Sequence, residues 1–377
     1  MSLPGTGRAG TAGANAPAAL PAAAVAPATE PSGFEPLWSL ATLYRNDAHP
    51  ILQELKLRGR YHGQYHWLES EQGDARDWED RRSRFGVDAR MFGKTIELRL
   101  DAQSTDGFDP WYGGLVDAFL KWKPSSAFSL TLGKQKPRLG YHDWLQSTNT
   151  QPTFERSQIF NQLRVDRAAG AVAEGAIGRF TYDFGAYSND VDREFGGFGG
   201  GASFGGGAGW DFKETLGLER ADLRVHWLHS DHEAADTVLN RYDNLFSATF
   251  WVEHRRAGFV AEAFAGTGTG ADVAGFYLQP TYDLVPERVQ LVGRYSFAQC
   301  DGPDSVAAQS RYERTAPLLT GGGRGETNHA AYLGLQFFLH GDALKLMTGA
   351  EYARLEGGGN GGDFTGWTVF SGVRVSF

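Results

Sequence analysis

The feature that most constrains this chain is a strict two-residue alternation of apolar and polar side chains over long stretches. Successive side chains of an extended strand point to opposite faces, so this period predicts β-strands. In the segment 51–67 the odd positions are mostly apolar, whereas the even positions include Glu54, Lys56, Arg58, Arg60, His62 and His66. The last twelve residues repeat the pattern, with one face formed mainly by Trp367, Val369, Val373, Val375 and Phe377.

The alternation recurs along the whole chain and predicts about fifteen strands joined by turn-like or long Gly-, Asp- and Asn-containing connections. We expect one further strand in 35–47 or 211–220. No long helical period interrupts the series, so the fold class is all-β with an antiparallel meander. The predicted strands are 51–67, 81–92, 95–103, 116–123, 128–136, 168–177, 179–187, 221–229, 245–253, 258–266, 273–282, 288–297, 330–339, 343–353 and 366–377.

Two architectures produce such strands. In a soluble sandwich the apolar faces meet a second sheet, whereas in a transmembrane barrel they meet lipid and the charged faces line the lumen. Many strands reach about ten residues, which crosses a bilayer at a tilt. Trp and Tyr residues cluster near strand ends, and short connections alternate with long ones such as 188–211 and 299–326. These observations favour a membrane barrel, in which Phe377 is the terminal signal read by the barrel-insertion machinery.

The composition of the chain excludes several classes of protein. No apolar run approaches the ~18 residues of a membrane-spanning helix, which excludes a helical membrane protein. The net charge of −9 argues against nucleic acid as a partner. The chain combines 50 Gly with 25 Phe, 14 Tyr and 10 Trp, a combination that suits many turns between aromatic-bearing strands. Cys300 is the only cysteine, and His62 and His66 are too far apart on a strand to share a metal, so we expect no cofactor and no metal.

The amino-terminal segment 1–33 is rich in Ala and Pro and separates from the predicted barrel domain, 34–377. Ala14-Asn15-Ala16 has the small residues of a signal cleavage site, so the segment is either the remnant of an export signal or a disordered linker.

The segment Leu130–Leu163 is the most informative, because a strand is followed by a polar stretch of about thirty residues, which is too long for a hairpin turn. Three motifs in it, together with Arg167 and Gly170 beyond it, resemble the phosphate-selective porin O and P family. The motifs are Gly133-Lys134-Gln135-Lys136-Pro137, Thr153-Phe154-Glu155-Arg156-Ser157 and Asn161-Gln162-Leu163.

The resemblance implies a sixteen-stranded barrel in the bacterial outer membrane, typically trimeric, with this loop folded inward as a constriction. The likeness is specific only over 116–175, and the Gly-rich segment 196–209, which we interpret as a loop, is not typical of that family. Residues of the constriction loop 138–165 would then be Tyr141, Phe154, Glu155, Arg156 and Asn161, and we expect Glu155 and Arg156 to form an ion pair that pins the loop.

The charged faces supply the candidate site. If the odd residues of the first strand face lipid, a row of cations faces the lumen, where it would attract anions and exclude cations. Arginine also binds phosphate or carboxylate through two parallel hydrogen bonds. The predicted pore-lining and anion-binding residues are Lys56, Arg58, Arg60, Arg82, Arg84, Arg90, Arg99, Lys134, Lys136 and Arg138.

Several alternatives stay open. The same faces carry Glu54, Asp88, Glu97, Asp101 and Asp117, so the charges are equally compatible with a general diffusion pore cross-braced by salt bridges. A plugged adhesion or structural barrel, or an outer-membrane hydrolase using Ser, His and an acid or amide, would have a similar sequence. The partners expected for a porin are membrane lipid, small hydrophilic or anionic solutes and two further copies of the chain.

Overall fold

The computed structural model describes residues 33–163, 165–189, 194–196, 201–231, 242–268, 271–302, 306–308, 324–357 and 363–377. The segment proposed as an export remnant or linker therefore lies, apart from Gly33, outside the described residues. The short helices are α1 (Glu35–Ser39), α2 (Gln158–Leu163) and α3 (Lys213–Leu216), with a 3-10 turn at Asp106–Phe108. No described helix is long and apolar enough to cross a membrane.

Strands make up most of the described chain. The first ten are β1 (Thr42–Arg45), β2 (Leu52–Ser70), β3 (Gly73–Met91), β4 (Ile96–Gln103), β5 (Gly114–Trp122), β6 (Ser129–Gln135), β7 (Ala168–Ile177), β8 (Phe180–Ser188), β9 (Ala202–Asp211) and β10 (Arg220–Ser230). The others are β11 (Asn244–His254), β12 (Ala257–Thr267), β13 (Val273–Val285), β14 (Val289–Cys300), β15 (Val306–Ala307), β16 (Arg324–Gly325), β17 (Thr327–His340), β18 (Leu344–Glu356) and β19 (Phe364–Ser376).

Among the described residues, sixteen strands, β2–β14 and β17–β19, form a closed antiparallel barrel in which each strand pairs with the next. The ring closes where β19 pairs with β2, from Gly366 opposite Ser70 to Ser376 opposite Arg60. Closure leaves no unpaired sheet edge, which a strand structure needs in lipid, where no water can satisfy a free edge. The predicted fold class and strand number are confirmed.

The two faces of the barrel wall have opposite chemistry. On β2 the outward residues Tyr65 and Trp67 are 37% and 49% exposed, whereas the inward residues His62 and His66 are 2% and 1% exposed. Large apolar side chains on neighbouring strands, such as Leu100, are also exposed on the outside. This arrangement inverts that of a soluble protein, and it is stable only where lipid covers the outer face.

The sixteenth strand lies where the sequence predicted a loop. The Gly-rich segment contributes β9, which pairs with β8 and β10. Of the two positions proposed for a further strand, 35–47 holds β1, which pairs with β2 outside the ring, and 211–220 holds α3. A Cβ on Gly205 would lie 2.1 Å from the backbone oxygen of Trp227, so glycine lets the strands approach. Alternation missed β9 because glycine has no side chain to mark a face.

The carboxyl terminus is fixed at the seam of the barrel. Phe377 and Gly59 exchange two backbone hydrogen bonds, of 3.0 and 3.2 Å. Gly59 also leaves room for the Phe377 ring, because a Cβ there would lie 2.1 Å from Cζ of Phe377. From the short segment before the barrel, Trp38 Nε1 donates to the Ser376 backbone oxygen at 2.6 Å. The last residue is therefore part of the wall, although its ring is 51% exposed.

Candidate functional site in the barrel interior

The long connection between β6 and β7, residues 136–167, contacts inward-facing side chains around much of the barrel; we call it the crossing loop. The Gly140 backbone N–H donates to Ser247 Oγ of β11 at 2.9 Å. The N–H groups of His142 and Asp143 donate to the two carboxylate oxygens of Glu262 on β12, at 3.0 and 2.9 Å. One wall of the barrel therefore holds the start of the crossing loop through backbone groups, which any sequence of the loop would provide.

Two buried arginines hold the middle of the crossing loop. Arg374 of β19 is 3% exposed, and its Nη atoms donate to four loop carbonyl oxygens at 2.6–3.1 Å. Arg294 of β14 donates to Thr153 Oγ1 at 2.8 Å and to the Glu155 carbonyl oxygen at 2.6 Å. A guanidinium has five donors in a fixed plane, so one side chain can bind several carbonyls at once. The carbonyls that Arg374 binds belong to Thr148, Gln151, Thr153 and Phe154.

Glu155 fixes the crossing loop on the other side, against β2 and β3. Its carboxylate accepts a hydrogen bond from Gln64 Nε2 at 3.1 Å and pairs with Arg81 Nη2 at 3.2 Å. Burial raises the pKa of Glu155, but the charges of Arg81 and Arg82 outweigh burial and hold that pKa below its ordinary value. Glu155 thus forms an ion pair with Arg81 of the wall, whereas Arg156, the partner expected from the sequence, donates its Nε to the Asp143 backbone oxygen at 3.0 Å.

Apolar contacts complete the attachment. The Phe154 ring stacks on Phe370 with centroids 5.1 Å apart and belongs to a buried cluster with Val292, Tyr332 and Met347. These partners come from β14, β17, β18 and β19, and α2 adds the fully buried Ile159 and Leu163. Asn161, also in α2, donates its N–H to the Ser157 oxygen at 3.1 Å as part of the helix. The crossing loop is therefore packed against the inner wall like a small core.

Where the crossing loop leaves the wall free, it borders a cavity of about 240 Å³ with a high density of cations; we call this the basic cavity. Its lining includes seven Lys and Arg residues and one carboxylate, Asp117. The lining residues are Arg58, Arg60, Arg99, Asp117, Phe119, Lys121, Thr131, Gln135, Lys136, Arg138, Leu145, Ser147 and Arg167. Five of the ten cations predicted from sequence meet here: Arg58, Arg60, Arg99, Lys136 and Arg138.

The cations of the basic cavity differ in their partners. Arg58 is paired with Asp88 and Asp101, both at 2.8 Å, and Arg99 pairs with Asp88 at 2.8 Å. Arg60 instead reaches two hydroxyl groups of the crossing loop, Thr148 Oγ1 at 3.0 Å and Ser147 Oγ at 3.4 Å.

The two cations at the start of the crossing loop, Lys136 and Arg138, also differ in whether their partner is a carboxylate. Lys136 Nζ donates to the carbonyl oxygens of Trp144 at 2.6 Å and Gln146 at 2.9 Å, and burial together with the charge of Arg167 lowers its pKa well below the ordinary value. Arg138 pairs with the Glu174 carboxylate. Arg60 therefore has a positive charge with no carboxylate in contact among the described residues, whereas burial and Arg167 disfavour the charged form of Lys136.

Other predicted residues lie at different places. Arg90 pairs with Glu54 at 3.2 Å, and Lys56 faces Asp88 in the β2–β3 register. Arg82 is buried, and Arg84 is half-buried and lines a smaller cavity together with Arg58 and Arg60. Among the described residues, Nη1 of Arg82 and Nε of Arg84 have no hydrogen-bond partner. Lys134 shares a face with the outward Leu132, and its Nζ donates to the Glu194 carbonyl oxygen. Tyr141, in the crossing loop, lies under Arg224 with the guanidinium carbon 3.9 Å from its ring centre.

Several residues that matter in the structure were not predicted as site residues. Arg167 and Lys121 line the basic cavity, and Arg374 and Arg294 hold the crossing loop. Arg374 carried a signal in the sequence, because it is the only cation on the polar face of the terminal strand. Within the part of the chain that the structure describes, no group of three or more His, Cys, Asp or Glu side chains could hold a metal ion.

Comparison with known proteins agrees with this architecture. Residues 55–242, about half of the chain, match the family model of the phosphate-selective porins O and P. No curated protein sequence matches the chain significantly.

Solved structures share this fold, and the aligned regions cover nearly the whole length of the solved chains. The outer membrane channel DcaP of Acinetobacter baumannii is 10% identical with a TM-score of 0.58, covering 89% of this chain and 99% of that one. An anion-selective porin from Comamonas acidovorans is 12% identical with a TM-score of 0.60, covering 86% and 99%. Salmonella typhi OmpF, in complex with daunomycin, is 11% identical with a TM-score of 0.62, covering 89% and 100%. At these identities the likeness establishes the fold.

Proposed function

The chain belongs to the phosphate-selective porin O and P family, and from this premise we propose that it lets small anions diffuse passively across the outer membrane through the basic cavity. Transport would need no cofactor and no covalent chemistry. The crossing loop would act as the constriction, because it forms one side of the cavity and the barrel wall forms the other.

The observation that carries the anion preference is the excess of cations without acidic partners. Arg60 contacts hydroxyl groups of the crossing loop, and among the described residues no carboxylate in contact cancels its charge. In a narrow cavity with low-dielectric walls such charges raise the local concentration of anions. Arg60 has a guanidinium, which suits the oxygens of a phosphate or carboxylate.

One observation favours a second candidate, the general diffusion pore. Arg58, Arg99, Asp88 and Asp101 form a network of ion pairs across β2, β3 and β4. Such a lattice braces the wall and offers little net charge to a passing ion. The two candidates differ in what Arg60 does, so Arg60 is the residue to change.

The deciding experiment is the reversal potential of purified protein in a planar bilayer under a KCl gradient, followed by addition of inorganic phosphate. We expect discrete conductance steps, an anion-favouring potential and a decrease in current with phosphate. Arg60→Gln should shift the potential toward zero. The matched control is Arg354→Gln, because Arg354 is 53% exposed in its side chain and lies outside the cavity. An unselective wild-type channel would support the general diffusion pore, and a folded protein without steps would support a plugged barrel.

We further propose that the protein assembles as a homotrimer and that Phe377 directs insertion into the membrane. The support is family membership for the first and, for the second, the position of Phe377 at the seam of the barrel. A threefold mass difference between native and heat-denatured protein would establish the trimer. Phe377→Ala should reduce the amount of protein that reaches the outer membrane without changing its conductance.

A further inference from the structure

A second cavity, of about 340 Å³, lies between the crossing loop and the wall formed by β10–β14 and β17. Glutamine is the most frequent residue in its lining, so we call it the amide cavity. Its volume falls near the lower end of the ~300–1,000 Å³ that small-molecule sites occupy. Five glutamines line it: Gln146 and Gln151 from the crossing loop and Gln279, Gln290 and Gln336 from the wall.

The charged groups of the amide cavity have partners within the protein. Arg220 pairs with Asp222 at 2.8 Å and lies 3.5 Å from the centre of the Trp251 ring. Asp342 pairs with Lys345 at 2.7 Å, and Glu253 Oε1 accepts from Trp251 Nε1 at 2.9 Å.

The two remaining ionisable groups belong to the crossing loop and are also occupied. Asp143 accepts from the N–H and Oγ of Ser157 at 2.9 and 2.7 Å. His142 contacts the Tyr277 hydroxyl at 2.6 Å, and burial lowers its pKa to about 3, so its imidazole is neutral. Among the described residues that line the amide cavity, the cation Arg220 is paired and His142 is neutral, so an anion would find no unpaired positive charge there.

The groups left without partners are amides. Gln151 is 9% exposed, and neither its Oε1 nor its Nε2 has a hydrogen-bond partner among the described residues. Gln336 is 2% exposed; its Nε2 donates to Gln290 Oε1 at 2.8 Å, but its Oε1 lacks a partner. Buried polar atoms are normally hydrogen-bonded, so unpaired amides that line a cavity indicate a bound molecule with complementary groups.

We propose that the amide cavity binds an uncharged polyhydroxylated solute of about monosaccharide size. An amide presents both donors and an acceptor, and a hydroxyl group presents both as well, so the two match without any net charge. Removing the side-chain amides of Gln151 and Gln336 leaves the ion pairs of the cavity in place and costs one internal hydrogen bond, from Gln336 Nε2 to Gln290 Oε1, so these two residues are the ones to test.

Saturation-transfer NMR of the detergent-solubilised protein with glucose as the probe measures binding whether or not the barrel conducts ions. We expect glucose to bind, and the double variant Gln151→Leu, Gln336→Leu to weaken binding about tenfold, because two hydrogen bonds are removed. Gln151→Asn, which withdraws the same amide by one methylene, provides a milder variant if the double variant folds poorly. The control is Gln299→Leu on β14, an exposed glutamine outside the cavity.

Two further measurements locate the probe. Inorganic phosphate should not displace glucose, and Arg60→Gln should bind glucose like the wild type, because both act at the basic cavity. Displacement by phosphate, loss of binding in Arg60→Gln, or unchanged affinity in the glutamine variants would each overturn the proposal, as would a wild-type protein that does not bind glucose.

Discussion

The two cavities share the crossing loop but lie against different strands of the barrel wall, and they differ in which polar groups they leave without partners. In the basic cavity Arg60 contacts hydroxyl groups and, within the described part of the chain, no carboxylate, so its charge is available to a solute. In the amide cavity Arg220 forms an ion pair with Asp222. The amide groups that lack hydrogen-bond partners among the described residues are neutral. The chain as a whole carries a net charge of −9, which predicts neither cavity. The local pairing of charges, rather than the net charge of the chain, determines which solute a cavity can bind.

The largest expected effect comes from removing the attachment that both cavities share. Arg374→Met leaves four loop carbonyls without their buried donor, so we expect the free energy of unfolding to fall by about 3 kcal/mol or more. The crossing loop should then move, conductance should rise, and the chemical difference between the cavities should disappear. Urea unfolding and single-channel conductance check this, with Arg354→Met as the exposed control. An unchanged conductance would mean that other contacts hold the loop.

A smaller effect should separate two arginines that the sequence treats as equivalent. Arg58→Gln removes ion pairs to two carboxylates and should lower the free energy of unfolding by about 2 kcal/mol. Arg60→Gln should lower it by less than about 1 kcal/mol, because only hydroxyl contacts are lost. Ion selectivity should respond in the reverse order. Urea unfolding with the reversal potentials of both variants tests this, and equal effects would show that pairing does not determine their roles.

Acid should weaken the crossing loop at Glu155. Because its pKa in the folded protein is held below the ordinary value of 4.5, the carboxylate stabilises the attached loop above that value. That contribution is lost as the pH falls below 4.5 and through the lowered pKa. We expect conductance to become more variable over this acid range in the wild type. Glu155→Gln should have the same conductance across the range, and a variant that kept the wild-type pH response would assign it to another group.

The smallest effect should come from the seam, far from both cavities. Gly59→Ala places a methyl group against the Phe377 ring, which is half-exposed and can turn outward, so we expect a loss of about 1 kcal/mol. The control is Gly293→Ala, where the nearest atom to a Cβ is 3.4 Å away, at ordinary contact distance. Urea unfolding should show the difference while glucose binding and ion selectivity stay unchanged. A change in either would couple the seam to the interior.

Much of the barrel could be predicted from sequence because a strand marks its own faces. The alternation in 51–67 correctly placed Trp67 outside and His66 inside, and most strands were located by the same rule. The exception was β9. It contains Gly205, Gly206 and Gly207, which have no side chains, so no alternation of apolar and polar residues is visible there. The site was predictable only in part. The polar faces of the strands show which cations point inward, but not which carboxylates or hydroxyl groups they contact.

The sequence by itself determined the fold class, the orientation of the faces and the family motifs, because these depend on neighbours within one strand or loop. Only the tertiary structure decided that Arg58 forms ion pairs while Arg60 contacts hydroxyl groups, and that Arg374 binds the crossing loop. Those contacts join residues 30 to 226 positions apart, from Arg58–Asp88 to Arg374–Thr148. They depend on how adjacent strands are staggered and on where one loop crosses the barrel, and neither is encoded in local alternation.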